Sequence, residues 1–210
     1  MQTQTLTPLF PCIETWSWFS AEKGLNFNGH WVSEGDQRVL IDPPPMPEAC
    51  RLQVAAQPIT AILLTNRDHV REAMDWRIRA NVPIWAPTRD AMAMDFVTLD
   101  VAYNDGDALP CGLRAVGLSD GKSPGETALY LDRFGGLFIV GDALIGNPPG
   151  AFSLLPAEKY ADIKKAAAGL KRLLDFPFDA VLVGDGVSLL TGARAAVVRC
   201  IDHWTEPRVS

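Results

Sequence analysis

Short, strongly apolar runs are the feature that most restricts the fold of this sequence. ITAILLT, GGLFIVG and DAVLVGDG each consist mainly of aliphatic residues, with no regular alternation of polar and apolar positions. Runs of this length and composition are typical of strands that are buried on both faces. They predict a protein in which β-sheets are covered by other layers.

The order of the predicted elements indicates the architecture. Residues 13–41 alternate apolar and polar side chains around Glu34-Gly35-Asp36, which predicts antiparallel hairpins. Downstream, strands (ITAILLT, VPIWAP, FVTLDV, TALYLD, GGLFIVG, DAVLVGDG) alternate with predicted helices over residues 70–78, 157–174 and 191–203. This order predicts an α/β (α+β) fold in which helices cover two sheets. We expect one domain over residues 1–210, with roughly the first 12 residues loosely ordered.

The net charge restricts the possible binding partners, and the cysteines restrict the cellular compartment. A net charge of −6 argues against nucleic acid or an anionic membrane as a partner, and a small molecule stays open. The four cysteines are scattered without a CxxC pair, which favours reduced thiols in a cytoplasmic protein. Neither a signal peptide nor an apolar stretch of the ~20 residues that a membrane-spanning helix needs is visible. The oligomeric state is left undetermined.

Polar turns follow four of the predicted strands, and loops at the carboxyl ends of strands are where layered α/β folds commonly build ligand sites. In chain order the turns lie in LLTNRDHVR, SDGKSPGE, FIVGDAL and VLVGDG. This series resembles the metallo-β-lactamase superfamily, whose members carry T-H-x-H-x-D-H, G-H-[TS]-P-G, a strand ending in G-D and one ending in G-H-G. VLIDP and NDGDALPCGLRAVGL are similar to the family's L-I-D strand end and D-G-D-x-L-x-x-G hairpin. The resemblance spans residues 13–190 and implies a four-layer αββα fold of hydrolase-like type.

The sequence departs from the family at the metal ligands. The resemblance implies that the metal-bridging aspartate is retained as Asp142, whereas His69 falls on a non-ligand position. The remaining ligand positions hold residues of other types: Asn66, Asp68, Val70, Arg71, Lys122 and Asp185. Zinc prefers imidazole and thiolate ligands, arginine has no acceptor atom, and lysine must lose its proton before it ligates. No dinuclear zinc centre and no cofactor are therefore expected.

The charged residues at these positions suggest a substitute for the metals. If the family geometry is retained, Asp68, Asp142 and Asp185 converge, and Lys122 and Arg71 supply the positive charge that metal ions supply in the family. Lys122 is predicted to pair with Asp142 or Asp185. This pairing makes Asp68, Lys122, Asp142 and Asp185 the candidate catalytic or pocket residues, with Asn66 and Arg71 lining the pocket.

Two functions remain open on these residues. The preferred hypothesis is a ligand-binding or regulatory pseudoenzyme without a catalytic metal. The alternative is a hydrolase of an ester, thioester or phosphodiester that works without zinc or with a hard metal. In that case Asp68, His69, Asp142 and Asp185 would offer the oxygen-rich ligation that suits Mg²⁺ or Mn²⁺.

Simpler roles also exist for four residues of the first motif. Asn66 or Asp68 precedes a predicted helix, where either side chain would cap free N–H groups. Arg71 in a first helical turn is ordinarily a solvated side chain. His69 is interpreted as an exposed or hydrogen-bonded histidine rather than a metal ligand.

Overall fold

The computed structural model describes residues 6–94 and 99–206, and in that part of the chain eleven strands form two sheets, accompanied by five α-helices. The strands are β1 (Thr7–Phe10), β2 (Ile13–Ser20), β3 (Leu25–Glu34), β4 (Gln37–Ile41), β5 (Ala61–Leu63), β6 (Ile84–Pro87), β7 (Val101–Tyr103), β8 (Arg114–Gly117), β9 (Thr127–Leu131), β10 (Leu137–Val140) and β11 (Ala180–Val183). The helices are α1 (Glu48–Ala55), α2 (Ala73–Ala80), α3 (Thr88–Ala91), α4 (Ile163–Gly169) and α5 (Ala193–Thr205). Short 3-10 helices span Arg67–His69, Pro110–Gly112, Ala157–Lys159 and Leu170–Asp175.

The two sheets differ in size and in strand direction. The larger sheet contains β1 to β7 in sequence order, antiparallel from β1 to β4 and parallel from β4 to β7. The smaller sheet has the order β11-β10-β9-β8, in which only β10 and β11 run parallel. The hairpins predicted over residues 13–41 are confirmed, since β2, β3 and β4 pair antiparallel and Glu34 faces Gln37 across the turn.

Three clusters of buried side chains lie between the four layers of the fold. Successive side chains of β9 point to opposite faces of its sheet: Leu129 and Leu131 face the other sheet, whereas Ala128 and Tyr130 face the helices. One cluster fills the space between the sheets, a second joins the smaller sheet to α4 and α5, and a third joins the larger sheet to α1 and α2. The central strands are therefore buried on both faces, whereas the edge strand β1 is partly exposed. The predicted αββα fold is confirmed.

The predicted continuous helix over residues 157–174 is wrong. A 3-10 turn ends before Tyr160, whose backbone is extended, and α4 begins only at Ile163. The reason is a cap: the Asp162 carboxylate accepts hydrogen bonds from the backbone N–H groups of Lys164 and Lys165, at 2.9 and 3.2 Å. Apolar periodicity alone did not reveal that this aspartate interrupts the helix.

Other expectations need adjustment at the ends of elements. Residues 7–10 lie in the segment expected to be loosely ordered, but they form β1, in which Thr7 pairs with Thr15. Of the strand predicted as FVTLDV, residues 96–98 lie outside the described residues, and β7 begins at Val101. The sequence did not predict α1 or α3. Among the described residues, no helix is both long enough and apolar enough to cross a membrane.

Substitution of Leu182 tests how much the cluster between the sheets contributes to stability. Its side chain is fully buried there, so Leu182→Ala should lower the free energy of unfolding by about 2–5 kcal/mol through lost burial and a residual cavity. Leu52→Ala is the matched control, because Leu52 on α1 is 63% exposed and its truncation should change stability by less than about 0.5 kcal/mol. Urea unfolding of both variants measures the difference. Equal losses would contradict the layered core.

Candidate functional site

The predicted site residues meet at one edge of the two sheets. Asp142 follows β10 and Asp185 follows β11, and these strands are parallel with Val140 opposite Val183. Both aspartates therefore lie next to each other at the same end of the smaller sheet. The segment of residues 65–71 follows β5 in the facing sheet and contacts both strand ends.

Two glycines allow this close approach. A Cβ atom at Gly141 would lie 2.2 Å from Thr65 Oγ1, and one at Gly184 would lie 2.7 Å from His69 Cε1. Any larger residue would push the segment away from the sheet, because real Cβ atoms do not tolerate contacts this short. The Gly-Asp pairs that end β10 and β11 thus have a packing role in addition to their charge.

Lys122 lies between two carboxylates. Its ammonium nitrogen is 2.9 Å from Asp142 Oδ2 and 3.1 Å from Asp68 Oδ2. Of the two partners predicted for Lys122, Asp142 is the one it contacts. Burial lowers the pKa of Lys122, but the two carboxylates outweigh that effect and raise it above the ordinary value. The side chain is therefore a cation at neutral pH.

Arg71 is enclosed in the site rather than solvated, with 9% of its side chain exposed. Its guanidinium donates to the carbonyl oxygens of Asn28 and Asp42 at 2.9 and 3.0 Å, which belong to the larger sheet and its margin. It also donates to Asp185 Oδ1 at 2.6 Å and to the Gly184 carbonyl oxygen at 3.3 Å. One side chain thereby joins the ends of the two sheets.

Asp185 is paired with this guanidinium and makes no contact with Lys122 among the ion pairs of the described residues. Burial raises the pKa of Asp185, and although the nearby positive charges of His69 and Arg71 oppose this effect, the net shift is upward. Its carboxylate nevertheless has a direct cationic partner.

His69 is buried rather than exposed, and it is hydrogen-bonded, which is the second of the two roles expected from the sequence. Its Nδ1 is 2.8 Å from Asp42 Oδ2, and its Nε2 is 3.6 Å from Asp142 Oδ1. Burial and the Arg71 charge lower the pKa of His69, but Asp42 and Asp142 outweigh them and raise it to about 10. The ring is therefore an imidazolium at neutral pH, and with Lys122 it holds the pKa of Asp142 far below its usual range despite burial.

Asn66 has the predicted capping role and one further contact. Its side-chain oxygen accepts from the Asp68 N–H at 2.8 Å, which caps the 3-10 helix of residues 67–69. Its amide nitrogen donates to Glu126 Oε1 at 3.1 Å. The other oxygen of Glu126 has no hydrogen-bond partner among the described residues. Burial, reinforced by the charge of Asp142, raises the pKa of Glu126 to about 8.

Two buried aspartates that the sequence analysis did not single out support the site. Asp42 accepts from the Thr65 N–H and hydroxyl at 2.9 and 2.6 Å and orients His69. Asp90 accepts from the N–H of Arg67 and from Ser123 and Gly125, which ties the two site loops together. Asp42 ends an apolar strand, as Asp142 and Asp185 do, and this signal could have identified it. Nothing in the sequence around Asp90 marks it.

The charged side chains of Asp68, His69, Arg71, Lys122, Asp142 and Asp185 form the floor of a cleft of about 540 Å³. The residues that line the cleft are charged at the floor and largely apolar on the walls: Lys23, Leu25, Phe27, Asp68, His69, Arg71, Lys122, Asp142, Ile145, Asn147, Ser153, Leu154, Leu155, Pro156, Lys159 and Asp185. Of the predicted site residues, all but Asn66 line it. Asn66 lies behind the floor, fully buried against Glu126.

Comparison with known proteins decides the family. Residues 8–201 match the family profile described as the metallo-beta-lactamase superfamily. The chain belongs to this superfamily. The resemblance predicted from the series of sequence motifs is thereby confirmed, and the match extends over residues 8–201. No curated protein sequence matched the chain.

Solved structures of metallo-beta-lactamases share the fold. A metallo-beta-lactamase from Pontibacter korlensis has a TM-score of 0.79 at 16% identity, covering 99% of this chain and 100% of that one. The Erythrobacter litoralis enzyme, with beta mercaptoethanol in its active site, has a TM-score of 0.72 at 18% identity, covering 96% and 95%. The Hirschia baltica enzyme has a TM-score of 0.67 at 16% identity, covering 97% and 98%. At these identities, the similarity establishes the fold of this superfamily member.

A double-mutant cycle tests the Lys122–Asp142 pair. Lys122→Met should destabilise the protein, because it leaves the buried Asp142 carboxylate without its ammonium partner. Combined with Asp142→Asn, the total loss of unfolding free energy should be smaller than the sum of the single losses by about 1 kcal/mol or more. The control is the cycle of Lys122→Met with Asp185→Asn, where no direct contact exists and the coupling should be smaller. Additive losses for Lys122 and Asp142 would contradict the pairing.

The pKa of Glu126 leads to a pH-dependent prediction. Since it is raised from 4.5 to about 8, the folded state binds the proton more tightly than the unfolded chain, and this contribution to stability is lost as the pH rises through that window. Glu126→Gln keeps an acceptor for Asn66 but cannot ionise. The stability of the variant relative to the natural protein should therefore increase between about pH 5 and about pH 9.

Unfolding by urea at several pH values measures this difference. The exposed Glu158 supplies the control, since Glu158→Gln removes one surface carboxyl and with it one negative charge. A Glu126→Gln curve that runs parallel to that of the natural protein would show that Glu126 ionises normally.

Proposed function

We propose that this protein binds a small molecule in the cleft without a dinuclear zinc centre, as a non-hydrolytic member of its superfamily. The floor of the cleft would then serve recognition, with fixed cations in the place of metal ions. Its four free cysteines are consistent with a reducing compartment such as the cytoplasm.

The chemistry of the donor set supports this proposal. The positions that correspond to the family's histidine ligands hold Asn66, Asp68, Arg71, Lys122 and Asp185. Asn66 uses its side-chain oxygen as a helix cap, and Lys122 is held in its protonated form by two carboxylates. Zinc sites need three or four nitrogen, sulfur or oxygen donors around an open centre. These residues do not fit a dinuclear zinc centre.

The observation that carries the proposal is the arrangement of Arg71. A guanidinium has no acceptor atom and stays charged at all accessible pH values, so it cannot ligate a metal. Here it is buried and donates four hydrogen bonds at a position where the family has a ligand. The positive charge of Arg71 would repel a dication bound nearby, because a poorly solvated interior screens charge weakly.

The network would keep the cleft open and shaped. Without counter-charge, Asp68, Asp142 and Asp185 would repel one another at the strand ends. Lys122, Arg71 and His69 neutralise them through direct contacts. The network need not stabilise the fold overall, because desolvation of buried ions offsets much of the Coulomb attraction. Its role would be to fix the positions of polar groups that face a ligand.

A second candidate function rests on one specific observation. His69, Asp142 and Asp185 each offer one ligand atom, and these three atoms lie within 4.8 Å of one another. Asp42 orients the His69 ring, as carboxylates hydrogen-bonded to ligating histidines do in metal sites. With Asp68 at the margin, and with loss of the His69 proton on binding, this set could hold one Mn²⁺ or Mg²⁺ in a hydrolase for an ester, thioester or phosphodiester. Titration with Mn²⁺ followed by electron paramagnetic resonance tests this candidate. Tight binding that Asp142→Asn abolishes would favour the hydrolase over the metal-free protein.

The metal content of the purified protein tests the proposal. Elemental analysis of protein produced in zinc-supplemented medium should find far less than one zinc per chain, because the donor set lacks imidazole and thiolate at the ligand positions. Mild chelation should leave the far-ultraviolet circular dichroism unchanged.

A gain-of-site variant provides the control for this measurement. Replacing the five positions by histidine (Asn66→His, Asp68→His, Arg71→His, Lys122→His and Asp185→His) would restore the ligand types of the family on the same fold. If this variant retains zinc and the natural protein does not, the residues and not the fold determine the metal content. About one zinc per chain in the natural protein, retained after mild chelation, would contradict the proposal.

A further inference from the structure

We infer that the ligand of the cleft is a small carboxylate with an apolar body, and that its carboxylate is bound at the mouth by Lys23 and Lys159. This inference rests on the proposed function and adds the chemical class of the ligand. It follows from three features of the cleft: the charges that are already paired, those that are not, and the apolar walls.

The acidic groups of the cleft already have cationic partners. Asp142 and Asp68 share the Lys122 ammonium at 2.9 and 3.1 Å, and Asp185 accepts from Arg71 at 2.6 Å. The His69 ring lies 3.6 Å from Asp142 and forms part of the same floor. The floor therefore has no unpaired carboxylate to attract a cationic ligand.

Two further cations line the same cleft without a buried counter-ion. Lys23 contacts only Glu22 among the ion pairs of the described residues, and both side chains are largely exposed, at 58% and 80%. Such a surface pair is weak and readily exchanges partners. The Lys159 side chain has no ion-pair partner in the described part of the chain. Lys159 can therefore bind an anion directly, and Lys23 can do so by exchanging its exposed partner Glu22.

The balance of charge at the cleft is opposite to that of the whole chain. Four cationic side chains (Lys23, Arg71, Lys122 and Lys159) line the cleft against three carboxylates (Asp68, Asp142 and Asp185). Asp42 lies behind His69 and does not line the cleft. The chain as a whole carries −6, so a positive cleft would concentrate anionic ligands locally.

The walls between these charges are apolar. Leu25 and Phe27 come from β3, whereas Ile145, Leu154 and Leu155 come from the long segment after β10. A cleft of about 540 Å³ has the size of ordinary small-molecule sites. An apolar body seated between these walls would be removed from water while its carboxylate reaches the two lysines. The ligand class is therefore an amphipathic monoanion.

Calorimetry with matched probes tests this inference on the full chain. Octanoate should bind, whereas the neutral octanamide and the short acetate should each bind at least ~10-fold more weakly, since one lacks the charge and the other the apolar body. The affinity for octanoate should fall as salt is added. Lys23→Gln combined with Lys159→Gln should weaken octanoate binding ~10-fold or more and leave octanamide binding unchanged.

Two exposed lysines that do not line the cleft supply the matched control. Lys164→Gln combined with Lys171→Gln removes the same charge from the surface of α4 and the adjoining 3-10 helix and should leave octanoate binding unchanged. Equal affinity for octanoate and octanamide, no octanoate binding, or an equal loss in both double variants would overturn the inference. Because none of these results depends on zinc, they leave the metal content as the separate test of the proposed function. A zinc-bearing protein would overturn that function instead.

Discussion

The guanidinium of Arg71 is the contact on which the rest of the site depends. It donates hydrogen bonds to the Asn28 and Asp42 carbonyl oxygens on the side of the larger sheet, and to the Gly184 carbonyl oxygen and the Asp185 carboxylate at the end of β11. Its side chain also lies over the Phe27 ring, with 4.9 Å from the guanidinium carbon to the ring centroid. Direct hydrogen bonds also join the sheets at this edge, for example those from the Asn28 side-chain amide to the carbonyl oxygens of Val183 and Gly186. Arg71 adds a charged contact to them and holds Asp185 at the floor of the cleft.

The charges of the site form a connected set rather than separate pairs. Lys122 bridges Asp68 and Asp142, Asp142 faces His69, and His69 donates to Asp42. In a poorly screened interior each charge depends on its neighbours, so loss of one cation would leave an uncompensated carboxylate. A metal centre and a network of cations are thus two solutions to the same problem, namely several carboxylates held together at the ends of parallel strands.

Much of the fold was predictable because short apolar strands and turn residues are local signals. The position of Asp142 and Asp185 was predictable for the same reason, since each follows a buried strand and a glycine. The burial of His69 was not, because it depends on Asp42 and on two glycines distant in sequence. The hydrogen bonds by which Asp90 joins the two site loops were likewise not predictable, since its partners come from two loops that only the tertiary fold brings together. The break before α4 was missed because capping by Asp162 competes with a helical periodicity that continues through it.

The most direct test of the account is the dependence of stability on zinc concentration. A protein whose native state binds zinc gains stability in proportion to the logarithm of free zinc, because only the folded form has the site. If Lys122, Arg71 and His69 replace the metal charge, the urea midpoint should be the same in a chelator and over a range of buffered free zinc. A midpoint that rises steadily with zinc, and falls again when the chelator is added, would contradict the central claim.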